Sequence, residues 1–313
     1  MVNYYFKIKF FIFDHFLILL LLFYSHIANK KIFIIGTPYG SWGNRLMLYS
    51  YIISWSKKFN GIVLNPSFIE YEEYFKNFKS NVFGLIPCKA PPKNKIPKFF
   101  SKMINESFNR IAYRKIKIPR IISFDLESEN EDYEKKSFQT LLRRSKVVFF
   151  RGFLFGKRNF KSVGNLRNYL KNLFEFSDKI VSRSNEILGS INKSYIIGVC
   201  MRQGDYKNHF GGKLFLEDHE YKMLLDRLKI HFGNDFGIFV ACEEKKDEIL
   251  DESAYFNYGE PAVNLCTLSK CNYLIGPAST FMTWAAFLNN VPTCYIDRTN
   301  YKSKDLVFEE VSF

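Results

Sequence analysis

An arginine that follows a buried strand can hold an anion, and the run Ile196-Ile197-Gly198-Val199-Cys200-Met201-Arg202-Gln203-Gly204-Asp205-Tyr206 places one there. The apolar half reads as a parallel strand buried on both faces. In open α/β sheets, ligands sit beyond the carboxyl ends of such strands. The guanidinium of Arg202 presents a fixed fork of donors suited to a phosphate. Asp205 is a carboxylate that can act as a base, or equally cap its own turn. Glu217 and Asp218 are further carboxylates nearby in the chain.

Two other segments carry residue types that suit the same ligand. Gly276-Pro277-Ala278-Ser279-Thr280 follows a short apolar run and opens a helix. Ser279 and Thr280 there serve as an N-cap, and the same geometry offers hydroxyls and backbone N–H groups to a phosphate. Gly36-Thr37-Pro38-Tyr39-Gly40-Ser41-Trp42-Gly43-Asn44-Arg45 lies between a first strand and a first helix. Its glycines let the backbone approach a ligand, and Asn44 or Arg45 opens the helix. The spacing is neither a dinucleotide fingerprint nor a P-loop, and a βα turn with an asparagine cap is the alternative.

The elements that must position these residues follow from periodicity. Lys31–Ile35 reads as a strand, residues 44–58 as a helix, Ile62–Leu64 and Lys146–Phe150 as strands, and Leu166–Leu188 as a helix. After Ser194 the alternation is regular. Strands at Tyr195–Met201, Gly237–Ala241, Tyr273–Ile275 and Thr293–Ile296 interleave with helices at Asp218–Phe232, Glu244–Leu250, residues 262–270 and Thr280–Asn289. Such alternation implies parallel sheets built from βαβ units. The division expected is residues 1–30 as a hydrophobic segment, 31–190 as an N-terminal α/β domain, and 191–313 as a C-terminal Rossmann-like domain. Lys89–Lys98, rich in proline, reads as a loop, and Ser128–Lys136 as a charged, exposed stretch.

Composition bounds the partners. The 313 residues carry a formal charge of +14, and 47% are hydrophobic, with 34 Phe and 19 Tyr. A sizeable core follows, and the charge suits an anionic partner (a nucleotide, a phosphorylated lipid, a membrane surface or nucleic acid), with a solvated lysine-rich surface as the equal alternative. The charge is concentrated in the middle, where residues 85–161 hold 19 Lys or Arg against 7 Asp or Glu. No nucleic-acid-binding motif accompanies it, so nucleic acid is not expected. The six cysteines show no metal-ligand spacing and read as buried thiols, with a Cys266–Cys271 disulfide as the alternative. An apolar stretch, Phe10–Ile27, is broken by Asp14 and His15 and flanked by lysines. It reads as a targeting or signal-anchor segment, with a buried or interfacial helix as the alternative.

Taken together, the three segments resemble the fucosyltransferase superfamily of α-1,2-, α-1,6- and protein O-fucosyltransferases. The pattern G-x-G-N-[QR]-L is matched by Trp42-Gly43-Asn44-Arg45-Leu46. The signature H-x-R-[RQ]-G-D-Y aligns with Cys200 to Tyr206, and Gly211-Gly212-Lys213-Leu214-Phe215 looks like the continuation in the α-1,2 branch. The late pattern G-x-x-S-T-F-x-x-W-A is matched by Gly276 to Ala285. The resemblance implies a GT-B-like α/β fold with two Rossmann-type domains and parallel sheets. It implies an inverting transfer of fucose from GDP-fucose to a glycan acceptor, with no metal and no cofactor. It places Arg202 on the β-phosphate, Ser279 and Thr280 on phosphate oxygens, Gly43 and Asn44 near the sugar and pyrophosphate, and Asp205 as the candidate base. Cys200 occupies the position of the family histidine on the guanosine side.

Membrane association through residues 10–27 would place the protein in the secretory pathway (Golgi-like) of a eukaryote, or otherwise on the cytoplasmic face of the membrane. Two other functions fit parts of the pattern. One is a same-fold glycosyltransferase using another nucleotide sugar, suggested by Cys200. The other is a basic, membrane-tethered polyanion binder without catalysis, suggested by the charge of the middle segment.

Overall fold

A computed structural model describes residues 2–81, 84–87, 98–114, 116–127, 132–154, 161–233, 235–245, 251–303 and 305–311. The chain divides into two compact units, residues 1–175 and 176–312. The division falls at Glu175 and Phe176 rather than at 190. The helical pattern expected across Leu166–Leu188 is two helices, α6 at Arg167–Leu173 and α7 at Asp178–Ile191. Phe174 explains the break. Its ring packs among Tyr49, Phe68, Phe75 and Phe78 of the first unit, whereas Ser177 and Asp178 start a helix that belongs to the second.

In the first unit, α1 (Val2–Ile27) leads into β1 (Lys31–Ile35), α2 (Trp42–Lys58) and β2 (Gly61–Leu64). A hairpin of β3 (Phe78–Asn81) and β4 (Gly84–Pro87) follows, then α3 (Lys98–Tyr113), β5 (Lys117–Ile118) and β6 (Ile121–Asp125). The unit continues with α4 (Lys136–Arg144), β7 (Val147–Arg151), α5 (Lys161–Gly164) and α6. The sheet order is β2-β1-β7-β6-β5, parallel except for β5 at the edge. The apolar runs of β1 and β7 alternate between two cores. Ile32, Ile34, Val147 and Phe149 pack on one face with Phe108 and Ile111 of α3. Phe33 and Phe150 stack on the other, beside Trp55 of α2.

The apolar N-terminal stretch is part of this fold. Leu17, Ile18 and Leu21 of α1 are buried in the core with α3 and the sheet. Asp14, which interrupts the apolar run, is fully buried and pairs with Arg110 at 2.8 Å and Arg114 at 2.9 Å. Among the described residues, no helix is long and apolar enough to cross a membrane. The segment expected as an anchor is therefore a docked helix here, because its one carboxylate meets two guanidinium groups in α3 and the residue just after it.

In the second unit, α7 is followed by β8 (Ile196–Cys200), α8 (Asp218–Phe232), β9 (Gly237–Cys242) and β10 (Ala254–Tyr258). Then come α9 (Pro261–Leu268), β11 (Tyr273–Pro277), α10 (Thr280–Asn289) and β12 (Thr293–Ile296). All five strands are parallel, in the order β10-β9-β8-β11-β12. The helix α8 covers one face, where Leu224, Leu225 and Leu228 pack on Ile197, Val199 and Ile238. Five strands, β3, β4, β5, β6 and β10, are not among those expected from the sequence. Residues 246–250, part of an expected helix, and Cys88 lie outside the described residues, as do 89–97 and 128–131. Cys200, Cys242, Cys266, Cys271 and Cys294 are buried free thiols.

Candidate functional site

The site begins with the order of the strands. From β8 the chain steps outward to β9 and β10, then returns to place β11 on the opposite flank of β8. The crevice beyond the carboxyl ends of β8 and β11 is thus a topological switch point, where open α/β sheets bind ligands. The two strand ends are pressed together. A Cβ on Gly276 would lie 2.5 Å from the Cys200 carbonyl oxygen, so only glycine admits this approach.

Arg202 stands directly past β8, and its surroundings leave one donor unused. Its guanidinium bonds Asp205 at 3.1 Å through Nη2 and pairs through Nη1 with Glu243, which follows β9. The ring of Tyr206 lies beneath it, 4.9 Å from centroid to Cζ, and the Tyr221 hydroxyl accepts from its backbone N–H at 3.1 Å. Its Nε is buried without a hydrogen-bond partner among the described residues. Burial opposes the charged form, but the carboxylates of Glu243 and, less strongly, Asp205 hold the guanidinium above its ordinary pKa. A buried donor without a partner costs about 1–3 kcal/mol, which an anionic oxygen placed there would remove.

Ser279 and Cys200 meet at this edge. Ser279 is the N-cap of α10, its Oγ accepting from the Met282 N–H at 3.1 Å. Its hydroxyl also interacts with the Cys200 sulfur and the Tyr206 hydroxyl. The Tyr206 hydroxyl in turn donates to the Ala278 carbonyl at 3.2 Å, tying the turn after β8 to the turn after β11. Burial, chiefly, pushes the Cys200 thiol up to about 11 despite the opposing field of Arg202. Cys200 is a neutral thiol beneath the site floor. Thr280 is the first residue of α10, half-buried beside Ser279.

The carboxylates separate by role. Asp205 is exposed and paired to Arg202. Glu217 caps α8 in a reciprocal capping box with Glu220 and pairs with Arg298 at 3.2 Å. Asp218 accepts from the Gln203 amide at 2.7 Å, and the same amide donates to the Leu216 carbonyl at 2.8 Å. Glu217 and Asp218 are thus engaged in shaping the loop between β8 and α8. Glu243 was not a sequence candidate. Its only signal is a carboxylate after a buried apolar run, and its relevance depends on β9 lying beside β8.

Gly43 and Asn44 belong to the first unit, at the carboxyl edge of β1. The helix α2 starts at Trp42 with Ser41 as N-cap, ahead of the expected Asn44, so Gly43 is a buried residue of the first turn rather than of a loop. The Asn44 side chain folds back over Gly40, whose φ is +57°; a Cβ at Gly40 would meet the Asn44 Nδ2 at 2.3 Å. Arg45 Nε donates to the Gly40 carbonyl at 3.0 Å, and Nη1 bonds the Ser67 carbonyl at 3.2 Å and pairs with Glu70. These contacts shape the turn before α2 and join it to the 3-10 segment Pro66–Tyr74.

The family model described as glycosyl transferase family 11 matches residues 69–312. The chain belongs to that family. The match takes in the middle of the chain, which the short motifs did not reach, and begins after Gly43 and Asn44. Galactoside alpha-(1,2)-fucosyltransferase 2 of Pongo pygmaeus is 24% identical to this family 11 chain over 164 residues, 47% of this chain and 47% of its own. The chain thus spans about half the length of that relative. Among solved structures, fucosyltransferase NodZ from Bradyrhizobium is similar with a TM-score of 0.53 at 12% identity, covering 90% of this chain and 99% of that one. NodZ alpha-1,6-fucosyltransferase soaked with GDP-fucose gives 0.52 at 13%, covering 90% and 100%. At such identity the likeness concerns the fold, an α/β architecture of the GT-B type with two parallel-rich sheets.

Proposed function

We propose that this family 11 protein is an inverting fucosyltransferase that moves fucose from GDP-fucose to a hydroxyl of a glycan acceptor, in α-1,2 linkage and without a metal. The observation that carries this reading is Arg202. It stands at the switch point between β8 and β11, its buried Nε without a partner among the described residues, beside the N-terminus of α10. The names of the relatives agree in direction: a galactoside alpha-(1,2)-fucosyltransferase by sequence, and a fold neighbour soaked with GDP-fucose.

The reaction asks little covalent chemistry of the protein. The acceptor oxygen forms a bond to the sugar C1 as the bond from C1 to the β-phosphate oxygen breaks, and the acceptor proton passes to a carboxylate. Attack from the face opposite the leaving group inverts the anomeric centre. The leaving diphosphate gains negative charge in the transition state, and a positioned guanidinium stabilises that charge more than it stabilises the ground state. Arg202 supplies the positive charge for which other transferases use a cation. Ser279, Thr280 and the first N–H groups of α10 would hold phosphate oxygens. Asp205, exposed at the site mouth, is the proposed base.

Cys200 favours a second reading. A thiol buried beneath the floor extends no side chain toward a base, so a same-fold transferase with another nucleotide sugar remains the competitor. Titration of the purified chain with GDP, UDP and GDP-fucose separates the two. GDP binding, with fucose transfer to a galactoside that persists in EDTA, supports the reading. Binding of UDP alone replaces it, and product linkage by NMR tests the α-1,2 assignment.

A further inference from the structure

One side of α1 is packed into the first unit and the other is apolar and bare. Ile12, Phe16, Leu19, Phe23 and Ile27 recur at helical spacing and are each 60–67% exposed. Phe11, Leu20 and Tyr24 flank them. Between residues 11 and 27 the exposed positions are all apolar apart from His15 and His26. Helices on a water-facing surface carry charge on that side, so this one is built for a different neighbour.

The charge around the helix indicates which neighbour. The carboxyl end of α1 runs into the amino edge of the first sheet, where four segments meet: 25–31, 57–61, 117–121 and 143–147. Lys30 bonds the Asn60 side chain, Lys31 bonds the Arg143 and Ser145 carbonyls, and the Arg120 carbonyl accepts from the backbone of Lys146 and Val147. Together these four segments contain nine Lys or Arg and no Asp or Glu. The crowding is physical, since the Lys31 ammonium is depressed by burial and by repulsion from Lys146.

We propose that α1 lies in the plane of a bilayer containing anionic lipid, its bare face among the acyl chains and the basic amino edge of the first sheet against the headgroups. The charge complementarity selects an anionic bilayer over a second copy of this chain, which would bring two basic edges together. The helix does not span, because Asp14 and the residues beside it hold its other side in the protein core. In-plane helices with basic flanks bind through this combination of apolar burial and electrostatic attraction. The arrangement leaves the carboxyl edge of the first sheet, with Gly43 and Asn44, turned away from the lipid. It is independent of donor chemistry.

Flotation of the full chain with vesicles tests it, using phosphatidylcholine alone and phosphatidylcholine mixed equally with phosphatidylserine. The chain should float with the mixed vesicles, weakly with the neutral ones, and release in high salt or alkaline carbonate. The double variant Leu19→Ser, Phe23→Ser should keep its unfolding midpoint, because both side chains are exposed, and partition at least roughly a hundredfold more weakly. A second variant, Arg143→Glu with Arg144→Glu, should lose the preference for anionic vesicles. The proposal fails if the native chain does not float with mixed vesicles at low salt. It fails if the double variant floats equally well. It also fails if the chain is a dimer that the double variant dissociates, or if it resists carbonate as a spanning protein does.

Discussion

Glu243, at the end of β9, closes on the guanidinium of Arg202, at the end of β8, and so neutralises the group best placed to receive a diphosphate. The pair is partly open, with side-chain exposures of 17% for Arg202 and 38% for Glu243, so solvent screens it. An interaction of this kind is worth about 1 kcal/mol at most. On the proposed reading, a diphosphate entering the site would compete with Glu243 for the same Nη1. Replacing Glu243 by Gln should therefore tighten GDP binding, by about fivefold at the energy just stated. Isothermal titration checks this, and weaker binding would show that Glu243 instead holds Arg202 in its productive position.

Arg202 itself should matter far more to rate than to folding. Removing one preorganised donor to a developing anion costs a factor of about 100–1,000 in kcat. Arg202→Ala should show that loss with GDP-fucose while retaining its near-ultraviolet dichroism. Arg202→Lys should recover only part of it, because an ammonium lacks the planar fork.

Gly276 can be tested by a single methyl group. A Cβ there would stand 2.5 Å from the Cys200 carbonyl oxygen, and backbone cannot yield as a flexible side chain can. Gly276→Ala should destabilise the second unit by about 1–3 kcal/mol through forced separation of β8 and β11. It should weaken GDP binding in parallel, measured by urea unfolding and by titration.

Cys200 makes stability depend on alkaline pH. Burial raises its folded pKa from 9.0 to about 11. Between those values the unfolded thiol ionises while the folded one keeps its proton, so unfolding releases a proton and stability falls as pH rises. The contribution is fully present below pH 9. Cys200→Ala should flatten part of the decline in melting temperature across this window. Iodoacetamide should leave native Cys200 unmodified near neutral pH and alkylate it on unfolding.

Asp14 anchors α1 to the first unit. Its carboxylate is fully buried, whereas Arg110 and Arg114 keep about a third of their side chains in water. Losing one partner of a fully buried pair costs about 3–5 kcal/mol, and partial hydration of the arginines lowers the expectation to roughly 2 kcal/mol for Asp14→Ala. Chemical denaturation reads this directly. Limited proteolysis should then cut near α1 first.

Much of this protein is written locally. The runs around Ile32–Ile35, Ile196–Cys200 and Phe239–Cys242 are continuous and apolar because each strand is buried on both faces, and that is visible without any partner. The positions of Arg202, Ser279 and Thr280 were legible for the same reason: each lies within three residues of the end of a strand, where the residue type changes abruptly. The strand β10 was missed because its half-buried residues at the sheet edge lack such a run. The start of α2 was placed late because Trp42 and Gly43 do not resemble a first helical turn.

What joins distant segments follows a different logic. Asp14 interrupts an apolar stretch and alone reads as a flaw in an anchor. The fold of α3 brings Arg110 and Arg114 to it, and the same carboxylate becomes the reason the helix docks. Glu243 likewise has no local mark, since parallel order is set by crossover packing and not by the composition of either strand. The sequence alone determined that an arginine would stand at the end of a buried strand. The packing of β9 against β8 decided that a carboxylate would face it, because contacts across a sheet depend on which strands become neighbours.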